Sequence, residues 1–73
     1  MEAYFIRRTR GHEVQHLMDL FKIDRVGVWK NPMDLEGISL PLVFSSEFSA
    51  EVRMHEEQKK DSSWNYEICE FLR

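Results

Sequence analysis

His12-Glu13-Val14-Gln15-His16-Leu17-Met18-Asp19-Leu20-Phe21-Lys22-Ile23 is the stretch on which the fold turns. Val14, Leu17, Met18 and Phe21 stand at i, i+3, i+4 and i+7, with Leu20 beside them, so at 100° per residue they share one face. His12, Gln15, His16, Asp19 and Lys22 fall on the other. The spacing predicts an amphipathic helix over 12–23, bounded by Gly11 before it and Asp24-Arg25 after it.

Outward from that helix the pattern is that of strands. Residues 3–8 are β-prone and short, and Val26-Gly27-Val28-Trp29 is a second strand. Asn31-Pro32 and Gly37 mark a loop. Ile38, Leu40, Leu42 and Phe44 then alternate with Ser39, Pro41, Val43 and Ser45, and Pro41 suggests an edge or a bulge. Phe48, Ala50, Val52 and Met54 alternate with Ser49, Glu51, Arg53 and His55 as a half-buried strand. Glu56–Ser63 is a polar turn or hairpin loop, and Trp64, Tyr66 and Ile68 alternate in the last strand. The expected fold is α+β in the order β-α-β-β-β-β, one amphipathic helix on a mostly antiparallel sheet of about five strands. Tyr4, Ile6, Trp29, Val43, Cys69 and Phe71 are apolar but out of phase with the main stripes, and belong either to the core or to an exposed patch.

Composition narrows the function classes. Seventy-three residues make a single domain, 1–73. A chain this short buries only about 60% of the surface its unfolded form exposes. A 42% hydrophobic content with five Phe and two Trp argues against disorder. One cysteine, Cys69, forms no internal disulfide, which points to a reducing, cytoplasmic setting. No basic stretch precedes a long apolar run, so neither a secretory signal nor a membrane span is expected. A net charge of −3 gives no general pull toward nucleic acid or anionic lipid.

One motif carries chemistry. On a helix, His12 and His16 point the same way, so both can ligate one zinc ion while Glu13 activates its water. His-Glu-Val-Gln-His-Leu at 12–17, continuing to Ile23-Asp24-Arg25, resembles the third motif of the peptide deformylases, with Phe5 and Arg8 also in keeping. That resemblance covers residues 4–26. It implies metal-ligand roles for His12 and His16 and an acid/base role for Glu13. The family's upstream Gly-rich motif and cysteine ligand have no counterpart here, and Gln15 stands where the family has Asp. His55, Asp34 and Cys69 are the other conceivable third ligands. The plainer account of the same residues is the wet face of a helix, with Glu13 favoured in its first turn by the dipole. That account is preferred, so no catalytic residue, metal site or cofactor is assigned and the balance leans against an enzyme.

Two charged groupings remain. Arg7, Arg8 and Arg10 with Tyr4, Phe5, Trp29 and Lys30 are the type of residues that contact single-stranded nucleic acid, although the acidic balance opposes it. Glu47, Glu51, Glu56, Glu57, Asp61, Glu67 and Glu70 make the second half acidic, as suits a domain that competes for a basic site on a nucleic-acid-handling protein. The expected function is therefore a small acidic protein-binding module acting through a sheet edge or face, of the kind used as phage-type, antitoxin-like or immunity-like inhibitors. Arg7, Arg8 and Trp29 are the expected contacts, with Glu51 and Glu67 as electrostatic complements. The partner is another protein or a second copy in a homodimer, and the first and third strands are the expected edges. A zinc site on His12 and His16 and single-stranded nucleic-acid binding are the alternatives.

Overall fold

Gly11-His12 forms a two-residue loop between Arg10 and Glu13, and this loop decides the N-terminal half. Gly11 adopts φ +59°, a left-handed conformation that glycine takes without strain, as tight hairpins require. The computed structural model describes residues 3–19, 27–31 and 40–70. In it the chain forms β1 (Tyr4–Arg10), β2 (Glu13–Asp19), β3 (Val28–Lys30), β4 (Leu40–Pro41), α1 (Glu47–Lys60) and β5 (Asn65–Glu70). The class is α+β, one helix packed on an antiparallel sheet of strand order β3-β2-β1-β5, with β4 also paired to β2.

The position of the helix is a correction. Residues 13–19, expected as helix, are the strand β2. Residues 48–55, expected as a strand, lie within α1 together with most of the expected turn. Both stretches satisfy two periods at once. In β2, period 2 places Leu17 on the helix side of the sheet, where it is fully buried, and Met18 on the opposite side. In α1, Ala50, Arg53, Met54 and Glu57 recur at helical spacing and turn inward, whereas Phe48 is 73% exposed. Ser46 caps the helix, its Oγ accepting from the Ser49 N–H at 3.1 Å. Glu47 in the first turn and Lys59 and Lys60 in the last complement the dipole. The C-terminal end of the expected 12–23 helix, the loop around Pro32 and Gly37, the start of the strand at Ile38, Asp34 and Phe71 lie outside the described residues.

The expected edges also change. β1 is interior, flanked by β2 and β5, and β3 and β5 are the terminal strands of the order. Pairing of β1 with β2 runs from Arg10↔Glu13 to Arg7↔His16. Beyond it the segment Leu40–Phe44 bonds to both strands: Pro41 pairs with Met18, the Leu42 N–H donates to the Leu17 carbonyl at 2.9 Å, and Phe44 exchanges two hydrogen bonds with Tyr4. Gly27, at φ +78°, approaches this junction closely; a Cβ there would lie 3.0 Å from Leu17 Cδ1. Ile6, Leu17, Leu42 and Ala50 form the core, with Tyr4, Trp29, Phe44, Met54 and Ile68 packed around it. Of the apolar residues out of phase, Tyr4, Ile6 and Trp29 thus belong to the core, while Cys69 is half-buried on the opposite sheet face. No helix among the described residues is long and apolar enough to cross a membrane.

Candidate functional site

Arg8 follows Ile6 on the same face of β1, so it too points under the helix. Its guanidinium lies between two indoles, 4.2 Å from the Trp29 ring centre and 4.3 Å from that of Trp64. Its cross-strand neighbours complete the enclosure. Gln15 Oε1 accepts from Arg8 Nε at 2.8 Å and from Nη2 at 2.5 Å, and the Tyr66 hydroxyl lies 3.5 Å from Nη1. Arg10 also lies over the Trp64 ring, 4.1 Å from its centre. Stacking a desolvated guanidinium on indole is worth about 2 kcal/mol, and less where water reaches it.

Above this layer sits Glu57, buried at 7% exposure. Trp29 Nε1 donates to its Oε1 at 2.8 Å, and Arg53 Nε and Lys60 Nζ donate to Oε2 at 3.2 and 3.3 Å. Burial pushes the carboxyl up, but the hydrogen bonds from Trp29, Arg53 and Lys60 outweigh it and hold the group below its ordinary value. The Tyr66 hydroxyl donates toward the carbonyls of Asp61, at 2.6 Å, and Glu57, at 3.2 Å, closing the helix C-terminus. Asp61 accepts from Ser63 and from Trp64 Nε1, and these bonds hold its carboxyl low. No buried polar side-chain atom among the described residues lacks a partner. A cluster so fully satisfied acts as the polar half of the core.

Of the residues expected to contact a partner, only Arg8 and Trp29 are brought together. Arg8 and Trp29 meet inside the cluster. Arg7 points to the opposite sheet face and pairs with Glu67 across β1 and β5. Glu51 lies on the helix, half-buried. Arg7, Arg8 and Arg10 therefore do not form one basic patch. Glu57 and Asp61, expected in an acidic loop, are internal partners of indoles and cations. Gln15, Glu57, Trp64 and Tyr66 were absent from the expected set; their joining depends on strand register, which their separation in sequence hides.

His12 and His16 lose the helical spacing on which a shared metal rested. His12 is exposed in the β1–β2 loop, and His16 is in β2, where residues four apart are separated by about 13 Å of extended chain. The His16 ring packs at a tilt against Phe5, with centroids 5.0 Å apart, and burial, then the Arg7 charge, lower its pKa. Glu13 is exposed and paired with Arg10 at 3.3 Å. Among the described residues no three His, Cys, Asp or Glu side chains gather as a metal cage. Burial pushes the Cys69 thiol up, opposite to the shift that makes a nucleophilic thiolate.

The second feature is the outer edge of β5. In an antiparallel ladder, residue pairs alternate between exchanging two hydrogen bonds and exchanging none. Both main-chain groups of Tyr4 bond to Phe44, at 2.9 and 2.8 Å, and so point away from β5. Its pair with Glu70 is accordingly of the non-bonded kind, and Ile6↔Ile68 and Arg8↔Tyr66 share that phase. The N–H and C=O groups of Tyr66, Ile68 and Glu70 therefore face outward, where no strand among the described residues pairs with them. Comparison of the chain with protein-family models, with curated proteins and with solved structures gives no match.

Proposed function

We propose that this domain is a protein-binding module whose site is the outer edge of β5, which takes an extended segment of a partner as an added strand. The observation that carries this reading is the row of outward main-chain groups at Tyr66, Ile68 and Glu70. Strand addition draws its affinity from such a row and its specificity from the side chains on either side. Glu67 is paired with Arg7 on one face, whereas Glu70 on the other has no cation paired with it among the described residues, so the fitting segment is one that sets a Lys or Arg beside Glu70. The Arg8 cluster supports the edge from within, fixing Tyr66 through its hydroxyl and joining β5 to β1, β2 and β3.

In this reading the domain acts by occupying a partner's basic segment, as an inhibitor or modulator of the antitoxin-like, immunity-like or phage-type kind, and the single half-buried cysteine suits a cytoplasmic setting. The test is an NMR titration with a capped heptapeptide alternating Lys and Val. The expected result is that amide shifts concentrate at Tyr66, Ile68 and Glu70 and weaken as salt is raised. Shifts confined to the helix or the β3 side, or none at millimolar peptide, would overturn the assignment.

A further inference from the structure

The same edge matches itself. Two β5 strands related by a two-fold axis through Ile68 run antiparallel, with Tyr66 opposite Glu70 of the other copy, Ile68 opposite Ile68, and Glu70 opposite Tyr66. All three residues carry outward main-chain groups, so every one of these pairs falls in the bonded phase and exchanges both hydrogen bonds. A register shifted by one residue would set outward groups against groups already bonded to β1. A shift by two keeps the phase but leaves part of the row unpaired. In the centred register no acid directly faces an acid: Glu70 faces Tyr66, and Glu67 faces Cys69. Arg7 neutralises Glu67 within each chain. The charges that normally blunt an edge are thus offset from one another or paired.

We infer that, without another partner, the domain forms a two-fold dimer by antiparallel β5–β5 pairing in this register, making one continuous sheet across both copies. This inference rests on the edge reading above and names a second copy as the occupant of that edge. Self-pairing and capture of a partner's segment are then mutually exclusive, so the dimer is the resting form and a partner must displace one copy.

The experiment is light scattering of the full chain under reducing conditions, from micromolar to about millimolar. Mass is expected to rise from 8.8 kDa toward twice that value. Glu70→Pro removes an outward N–H and leaves the bonds to β1 intact, because Glu70↔Tyr4 is a non-bonded pair. It should return the mass to one chain, whereas Glu70→Ala should not. Register is tested separately with Glu67→Cys. A cysteine there would face Cys69 of the other copy in a non-bonded pair, about 4.5 Å between Cα atoms, within disulfide range. Mild oxidation should give a covalent dimer whose mapped link joins 67 to 69. A chain that stays at 8.8 kDa throughout and yields no 67–69 link overturns the dimer, as does a dimer that Glu70→Pro leaves intact. If the monomer still binds the alternating peptide at Tyr66, Ile68 and Glu70, only the self-pairing fails and the edge reading stands. Loss of both results removes the edge as a site.

Discussion

The helix covers two adjacent rows of the same sheet face, and the rows are chemically opposite. Beneath its N-terminal half, Ile6, Leu17, Leu42 and Ile68 meet Ala50 and Met54 with little polar content. One step along the strands, Arg8 stands where Ile6 did, with Gln15 and Tyr66 as its cross-strand neighbours, under Glu57. The first row is held by removal of apolar surface from water, about 1.5–3 kcal/mol for each fully buried aliphatic side chain. The second is held by stacking and hydrogen bonds, which return a modest net gain once desolvation is subtracted. An apolar row tolerates imprecise neighbours. A polar row does not, since each missing partner leaves a desolvated group unpaired. The polar row thereby fixes the register of β1, β2 and β5, and with it the phase of the β5 edge.

The largest expected effect comes from emptying the apolar row. Ile6→Ala should cost about 3 kcal/mol through lost transfer energy and the cavity left behind, read as a lower urea midpoint at unchanged slope. In the polar row Arg8→Ala should cost about 2 kcal/mol, from two indole contacts and the Gln15 bonds. Arg8→Lys should recover less than half, since an ammonium neither stacks flat nor forks. Equal stability of the Lys variant and the parent would mean that charge alone matters in this row.

Acid should separate the rows further. The Glu57 pKa is depressed in the folded chain, so the unfolded chain binds its proton first as pH falls. Its stabilisation is full above the ordinary value of 4.5 and is lost as pH falls through the folded value. His16 acts in the same direction at higher pH: its folded pKa is below 6.5, so protonation in the unfolded chain draws stability away as pH falls past that value. Melting temperatures from pH 7 to 3 should decline in two stages, the upper removed in His16→Gln and the lower flattened in Glu57→Gln. A pH profile unchanged in both variants would contradict these assignments. The smallest effect belongs to the exposed Arg7–Glu67 pair, where Arg7→Ala should cost less than about 0.5 kcal/mol in thermal melts.

Much of the class was legible, and the reasons for the misplacements are physical. The α+β content, β1, the strand at Trp29 and the last strand follow from short β-prone runs and alternation. The helix position misleads because Val14, Leu17 and Met18 fit a 3.6 period, while Phe48, Ala50, Val52 and Met54 fit a period of 2. Two local signals favoured the true arrangement. Gly11-His12 between β-prone arms is a two-residue hairpin loop, and Ser46 followed by Glu, Met, Gln and Lys with a single β-branched residue, Val52, is a capped helix. Trp29 and Arg8 could be singled out by residue type, yet their meeting with Trp64, Tyr66 and Glu57 could not, because it depends on pairing between strands some 58 positions apart. Edges are expected at the strand over 3–8 and at the one beginning at Ile38, whereas β3 and β5 end the order. The helix connection returns the chain beside β1 and leaves β5 outermost on that side.

Amide hydrogen exchange along β5, measured by NMR at a concentration where the chain is monomeric by light scattering, tests the central claim most directly. The account predicts alternation: Asn65, Glu67 and Cys69, bonded to β1, exchange slowly, while Tyr66, Ile68 and Glu70 exchange fast and slow down only as copies or peptide are added. Uniform protection of all six amides in the monomer would show the edge already covered and would contradict it.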